Sequence, residues 1–154
     1  MNNTPEISLA IVGVSRDCFL AEITRERLDR LEEACNAKGI EVYKCGTIIE
    51  NYDDAASALA ELGDVGVNAA VIYLGNFGPE GPLSVFAQDF WGPVMVCGAS
   101  EESGDNLIDG RGDAFCGMLN ASYNLALRNV PVHIPEVPVG LPDELACQIE
   151  HFLT

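Results

Sequence analysis

Three loops in this 154-residue chain collect residues able to do chemistry, and each follows an apolar run. The first is Gly13-Val14-Ser15-Arg16-Asp17-Cys18. There a strand pattern gives way to a helix pattern, and free N–H groups at a helix start can meet an anion or a hydroxyl. A lone Gly13 makes neither the dinucleotide fingerprint nor a phosphate-binding P-loop. On local sequence, the preferred reading is Ser15 or Asp17 as an N-cap, with Arg16 in solvent. The second loop, Gly75 to Pro82, sets Asn76, Phe77 and Glu80 among glycines and prolines. Such a loop is stiff and can project a ring beside an amide and a carboxylate, which suits the apolar face and hydroxyls of a sugar. Phe77 packed beneath the loop is the alternative. The third runs from Gly98 to Gly110-Arg111-Gly112-Asp113. Arg111 is a cation at a helix start that Asp113 is placed to cap. It can bind a carboxylate or sugar hydroxyls, or pair with Glu101, Glu102, Asp105 or Asp109. Arg-Gly-Asp is too short and too common by chance to be read as an adhesion motif.

Other reactive side chains are sparse. Cys116, near a helix N-terminus, has the position of an activated thiol. No histidine lies near it in sequence, so a buried, inert thiol is the preferred reading. His133 reads as a core or rim histidine and His151 as an exposed one. Six cysteines at 18, 35, 45, 97, 116 and 147 include no Cys-x-x-Cys pair. Neither a disulfide framework nor a zinc site is expected, and most of these thiols read as small buried hydrophobes in a reducing cytoplasm. No residue is assigned as a catalytic, cofactor or metal ligand.

Composition bounds the partners. Hydrophobic residues make up 48%, and mean hydropathy is +0.15, as for a globular domain. Eight Lys+Arg against 24 Asp+Glu give a net charge of −16. That leaves no positive footprint for nucleic acid or an anionic membrane, and its plain consequence is solubility. No apolar stretch is long enough to span a bilayer, and the start has no signal-peptide pattern.

The elements that must position the loops follow from periodicity. Ile7 to Val14, Ile40 to Ile48, Asn68 to Leu74, Val94 to Cys97 and Val130 to Ile134 read as strands, the first buried on both faces and the third the most apolar. Helical spacing covers Phe19 to Lys38, with Leu20, Ile23, Leu28, Leu31 and Cys35 inward. Arg25, Arg27, Asp29, Arg30, Glu32 and Glu33 face outward. Further helices run from an Asn51 or Asp53 cap to near Gly63, from Leu83 to Phe90, from Phe115 to Leu127 and from Glu144 to Leu153. The run Pro135 to Gly140 is placed outside any sheet, because each proline removes a ladder donor. Strands alternating with helices imply a parallel sheet with right-handed crossovers. The expected fold is an α/β three-layer αβα sandwich over residues 1–154, with a five-stranded parallel sheet in the flavodoxin-like order 2-1-3-4-5.

Four stretches carry a resemblance. They are Ile11 to Phe19, Leu74 to Glu80, Gly110 to Gly117 with the Ala-rich helix behind it, and Ile134-Pro135-Glu136. Together they make the chain resemble the N-terminal domain of L-fucose isomerase-like proteins, the group of L-fucose and L-arabinose isomerases. The resemblance implies the first domain of a longer cytoplasmic enzyme that interconverts an aldose and a ketose. It implies hexameric assembly and Mn2+ or another divalent metal, held by two acidic residues and a histidine beyond Thr154. This domain would be inert alone and would help close a neighbouring subunit's site. By position, Arg16 resembles a substrate-contacting arginine, and the Gly75–Glu80 loop resembles one that offers an aromatic to the adjacent subunit's sugar. Arg111 resembles an arginine of structural or substrate-facing role. The implied substrate-binding set is Ser15, Arg16, Asn76, Phe77, Glu80 and Arg111. Fucose isomerases place a tryptophan in the third-strand loop; here Phe77 is its only aromatic, and Trp91 lies past the next helix. The other reading is a free-standing flavodoxin-like module that binds a sugar or regulates without catalysis.

Overall fold

The computed structural model describes residues 6–101 and 110–154. In chain order the elements are β1 (Leu9–Val14), α1 (Ala21–Ala37), β2 (Val42–Lys44), α2 (Tyr52–Val65), β3 (Ala69–Leu74), α3 (Glu80–Asp89), β4 (Val94–Ala99), α4 (Ala114–Leu127), β5 (Val139–Gly140) and α5 (Pro142–Phe152). All five strands are parallel and lie in the order β2-β1-β3-β4-β5. This is the expected three-layer α/β sandwich.

Every residue of β1, β3 and β4 is buried, which is why their sequences do not alternate. Successive residues serve different cores. Leu9, Ile11, Val71, Tyr73, Met95 and Cys97 pack with Leu28 and Leu31 of α1 and Leu145 and Ile149 of α5. Ala10, Val12, Ala70, Ile72, Val94 and Val96 pack with α2, α3 and α4 through residues such as Leu62, Phe86 and Met118. Both sheet faces are therefore covered by the chain's own helices. No helix among the described residues is long and apolar enough to cross a membrane.

Several boundaries differ from the sequence reading, each for a physical reason. The expected strand from Ile40 to Ile48 shrinks to Val42–Lys44. Glu61 of α2 accepts from the Gly46 and Thr47 N–H groups and from the Tyr43 and Thr47 hydroxyls, drawing the chain off the edge. It returns only at Ile49, which bridges Val14. Asn51 caps α2 as expected, but the helix runs through Gly63 and ends at Gly66, whose positive φ of 80° makes the left-handed cap. α3 begins at Glu80, ahead of the expected Leu83. Pro82 falls in the first turn, where no N–H partner is required.

The fifth strand is the largest correction. Val130 to Ile134 contributes only one bridge, Met95 to His133. The paired strand is Val139–Gly140, inside the run excluded for its prolines. Edge position resolves the conflict: the Pro138 carbonyl accepts from Gly98 N–H at 2.8 Å, and the Gly140 carbonyl accepts from Ser100 N–H at 3.0 Å. On that side the edge strand needs acceptors, which proline retains.

Candidate functional site

The sheet order reverses direction between β1 and β3, and ligands of open α/β sheets sit at the carboxyl ends of the strands there. At that end the loops after β1 and β3 are fastened by one buried side chain. Asn76 accepts from the Arg16 N–H at 2.9 Å and the Gly78 N–H at 3.1 Å, and donates to Ser15 Oγ at 2.8 Å. Asn76 and Ser15 are fully buried, so they set the backbone and leave display to their neighbours. No side chain caps α1, and its N-cap position is Leu20. The capping reading of Ser15 or Asp17 is therefore replaced.

Arg16 is not free in solvent either. Its guanidinium lies 4.7 Å over the centre of the Phe77 ring, its Nε donates to the Gly78 carbonyl at 3.1 Å, and its Nη2 pairs with Glu80. Ring, carbonyl and carboxylate hold the arginine in one pose. Phe77 is half-buried beneath it, so the ring supports the cation and also meets the loop. Beside this group opens a cleft of about 480 Å³, lined by Arg16, Asp17, Glu50, Tyr52, Glu80 and Arg128 among others. Guanidinium N–H groups not used on Gly78 and Glu80 remain to serve a ligand there.

A second fastening escaped the sequence reading. Arg27, expected on the outer face of α1, is buried. Its Nη1 donates to the Gly75 carbonyl at 2.7 Å, and its Nη2 donates to Glu101 at 2.8 Å and to the Gly110 carbonyl at 3.1 Å. Glu101 also accepts from the Gly112 and Asp113 N–H groups at 2.8 and 2.9 Å. One ion pair thus ties α1 to the loops after β3 and β4. A Cβ on Gly112 would push the Arg27 guanidinium off the Gly75 carbonyl, so any larger residue there disturbs the fastening. The signal was present in the periodicity: Arg27 stands with Thr24, Leu28, Leu31, Ala34 and Cys35 on one helical stripe, all buried.

Burial raises the Glu101 carboxyl, but the Gly112 N–H, the Arg27 guanidinium and the Asp113 N–H outweigh it and hold it below the usual glutamate range. A carboxyl depressed on folding stabilises the fold above its unfolded pKa, and loses that contribution as pH falls through the folded one. The stability gap between wild type and Glu101→Gln should therefore narrow as pH drops from about 5 toward 3. Urea unfolding at stepped pH measures it, and a gap independent of pH would contradict the assignment.

Arg111 stands apart from the Arg16 group. It is exposed, its Nε donates to Asp113 Oδ1 at 2.6 Å, and it does not line the cleft. Asp113 occupies the N-cap of α4 in the left-handed region without capping it, because its carboxylate serves Arg111 and Glu101 takes its N–H. Of the other expected partners of Arg111, Glu102, Asp105 and Asp109 lie outside the described residues. Cys116, expected buried, is exposed, as is Cys18, and Cys147 is partly so. Cys35, Cys45 and Cys97 are buried, and burial pushes the first two thiols up to about 11 and about 12. His133 is exposed on the rim and stacks on Phe152 at 5.5 Å; His151 is exposed. Among the described residues, no three His, Cys, Asp or Glu side chains converge as a metal ligand set. Tyr52, Glu50 and Arg128 enter the cleft unannounced by any motif, since only the tertiary fold brings α2 and the end of α4 to it.

A protein-family model described as "Fucose/sulfoquinovose isomerase, N-terminal domain" matches residues 10–154. No curated protein matches the chain.

Proposed function

The chain belongs to the fucose/sulfoquinovose isomerase N-terminal domain family, and from that premise we propose that it closes the substrate site of a longer, oligomeric aldose–ketose isomerase. The observation that carries this reading is Arg16, held over Phe77 at the β1/β3 switch point and facing the cleft. Arg16 donates hydrogen bonds to sugar hydroxyls, Phe77 supports its guanidinium from beneath without itself lining the cleft, and Ser15 and Asn76 keep both in register. Binding, orientation and exclusion of water are the work of these residues. The divalent metal that the resemblance implies belongs, in this reading, to other domains of that longer enzyme. Three buried free thiols support a reducing, cytoplasmic setting.

Charge supports a neutral sugar over an anionic one. Arg16 is already paired with Glu80, and the other charged groups lining the cleft are Asp17, Glu50 and Arg128. A sulfonate or phosphate entering there meets more carboxylates than free cations.

The test is steady-state kinetics on the longer polypeptide that carries this domain. Arg16→Ala should lower kcat/KM for a neutral aldose at least tenfold, about 1.4 kcal/mol of transition-state stabilisation, and Phe77→Ala should act in the same direction. Unchanged constants in both variants would remove these residues from the site. Sugar binding without turnover in that longer chain would favour the binding-module reading instead.

A further inference from the structure

A surface helix normally turns one apolar stripe inward and a polar face outward. α4 does not. Its inner face, Ala114, Gly117, Met118, Ala121 and Leu125, is buried on the sheet. Its outer face carries Phe115, Leu119, Tyr123 and Leu127, exposed at 60%, 62%, 64% and 63%. The fourteen residues of α4 include no Asp, Glu, Lys or Arg, in a chain of net charge −16. A helix apolar on both faces is one that is covered on both faces.

We propose that this outer face pairs two copies of the chain, α4 against α4, antiparallel about a two-fold axis near Ala121. Three observations select a second copy. First, an isologous interface must be self-complementary, and this row is. Its order is aromatic, leucine, aromatic, leucine at intervals of four, so reversal places Phe115 on the partner's Leu127 and Leu119 on the partner's Tyr123. Every ring meets an aliphatic side chain. Second, two strongly acidic molecules approach with least repulsion where neither carries charge. Third, four large side chains about three-fifths exposed present on the order of 500 Å² per copy. Two such faces reach about 1,000 Å², the lower limit for a specific interface. Rows spaced by four interdigitate at a crossing angle near −50°, and antiparallel helix dipoles favour the arrangement.

The pairing gives the oligomeric part of the proposed function a surface, and rests on that reading for its place in an enzyme. The dimer itself is measured without sugar, so its failure and that of the Arg16 site are separable. The experiment is sedimentation equilibrium of the 154-residue chain over roughly 1–100 μM, since the chain's own helices cover both faces of its sheet. A monomer–dimer equilibrium within that range is expected. Leu119→Glu and Tyr123→Lys should each raise the dissociation constant at least tenfold, with the far-UV circular dichroism of the folded chain retained. Combined, they face each other across the two-fold axis and should return it to within about threefold of wild type. A wild-type monomer at the top concentration, single variants without effect, or a double variant that stays monomeric would each overturn the proposal.

Discussion

Arg27→Met is expected to lower the unfolding free energy by about 3 kcal/mol, with a fall in midpoint temperature of roughly 6–12 °C for a domain of this size. Methionine keeps an unbranched apolar stem in the buried site, so the loss isolates the guanidinium. Without it the Gly75 and Gly110 carbonyls lose a donor each, and Glu101 loses its cation. The Glu101 side chain is about one-third exposed, so water relieves part of the penalty, and the effect falls toward the lower end for a broken buried pair. The partner substitution separates the contributions. Glu101→Gln alone should cost less than Arg27→Met, and the double variant should fall short of additivity by about 1 kcal/mol or more. Chemical unfolding of the three variants measures this. Additive losses would mean that the arginine acts on the two carbonyls and not through the carboxylate.

Gly117→Ala should be the second large loss, against the ordinary helix preference. In a helix interior alanine is favoured over glycine by about 1 kcal/mol. At Gly117, however, an added Cβ falls on the Phe77 carbonyl of the β3–α3 loop. Helix and loop must separate, and with three Phe77 backbone atoms inside 3 Å the overpacking falls toward the upper end of roughly 1–3 kcal/mol, which outweighs the preference and leaves a net loss of up to about 2 kcal/mol. The displaced peptide carries the ring on which Arg16 lies, so under the proposed function sugar affinity should fall along with stability. Gly63→Ala is the control. Gly63 lies in α2, exposed, with only the Trp91 ring near its missing Cβ, at 3.6 Å. There alanine should be neutral or stabilising by up to about 1 kcal/mol. Thermal unfolding of both variants checks the pair, and equal shifts would contradict the close approach of α4 to the loop.

Much of the architecture was legible because local and global preferences agree. The runs of β1, β3 and β4 are apolar throughout because both faces are buried, and this with the alternation of helices was enough to predict the parallel sheet in its order. The loops after β1, β3 and β4 were likewise visible as places where polar groups interrupt apolar runs. The sequence could not show which of those groups would be display and which would be fastening. Arg16 and Glu80 stand 64 positions apart, and their pairing depends on two strands lying side by side. Asn76 looks like a ligand residue in a loop, yet it is buried and bonded to both neighbours.

The edges were misread for a related reason. At β5 the prolines argued against a strand, but the register with β4 asks of Pro138 only its carbonyl, a condition created by β4 and not by the segment itself. Arg27 was sorted by its charge onto the outer face, although its spacing placed it inward; the carbonyls and carboxylate that make its burial favourable lie between 48 and 83 residues away. Residue pattern alone determined the parallel α/β class and the central strands β1, β3 and β4, because those depend on hydrophobic period and connection length. Tertiary structure decided the role of each polar side chain, because a buried charge or amide is stable only beside partners that distant segments bring to it.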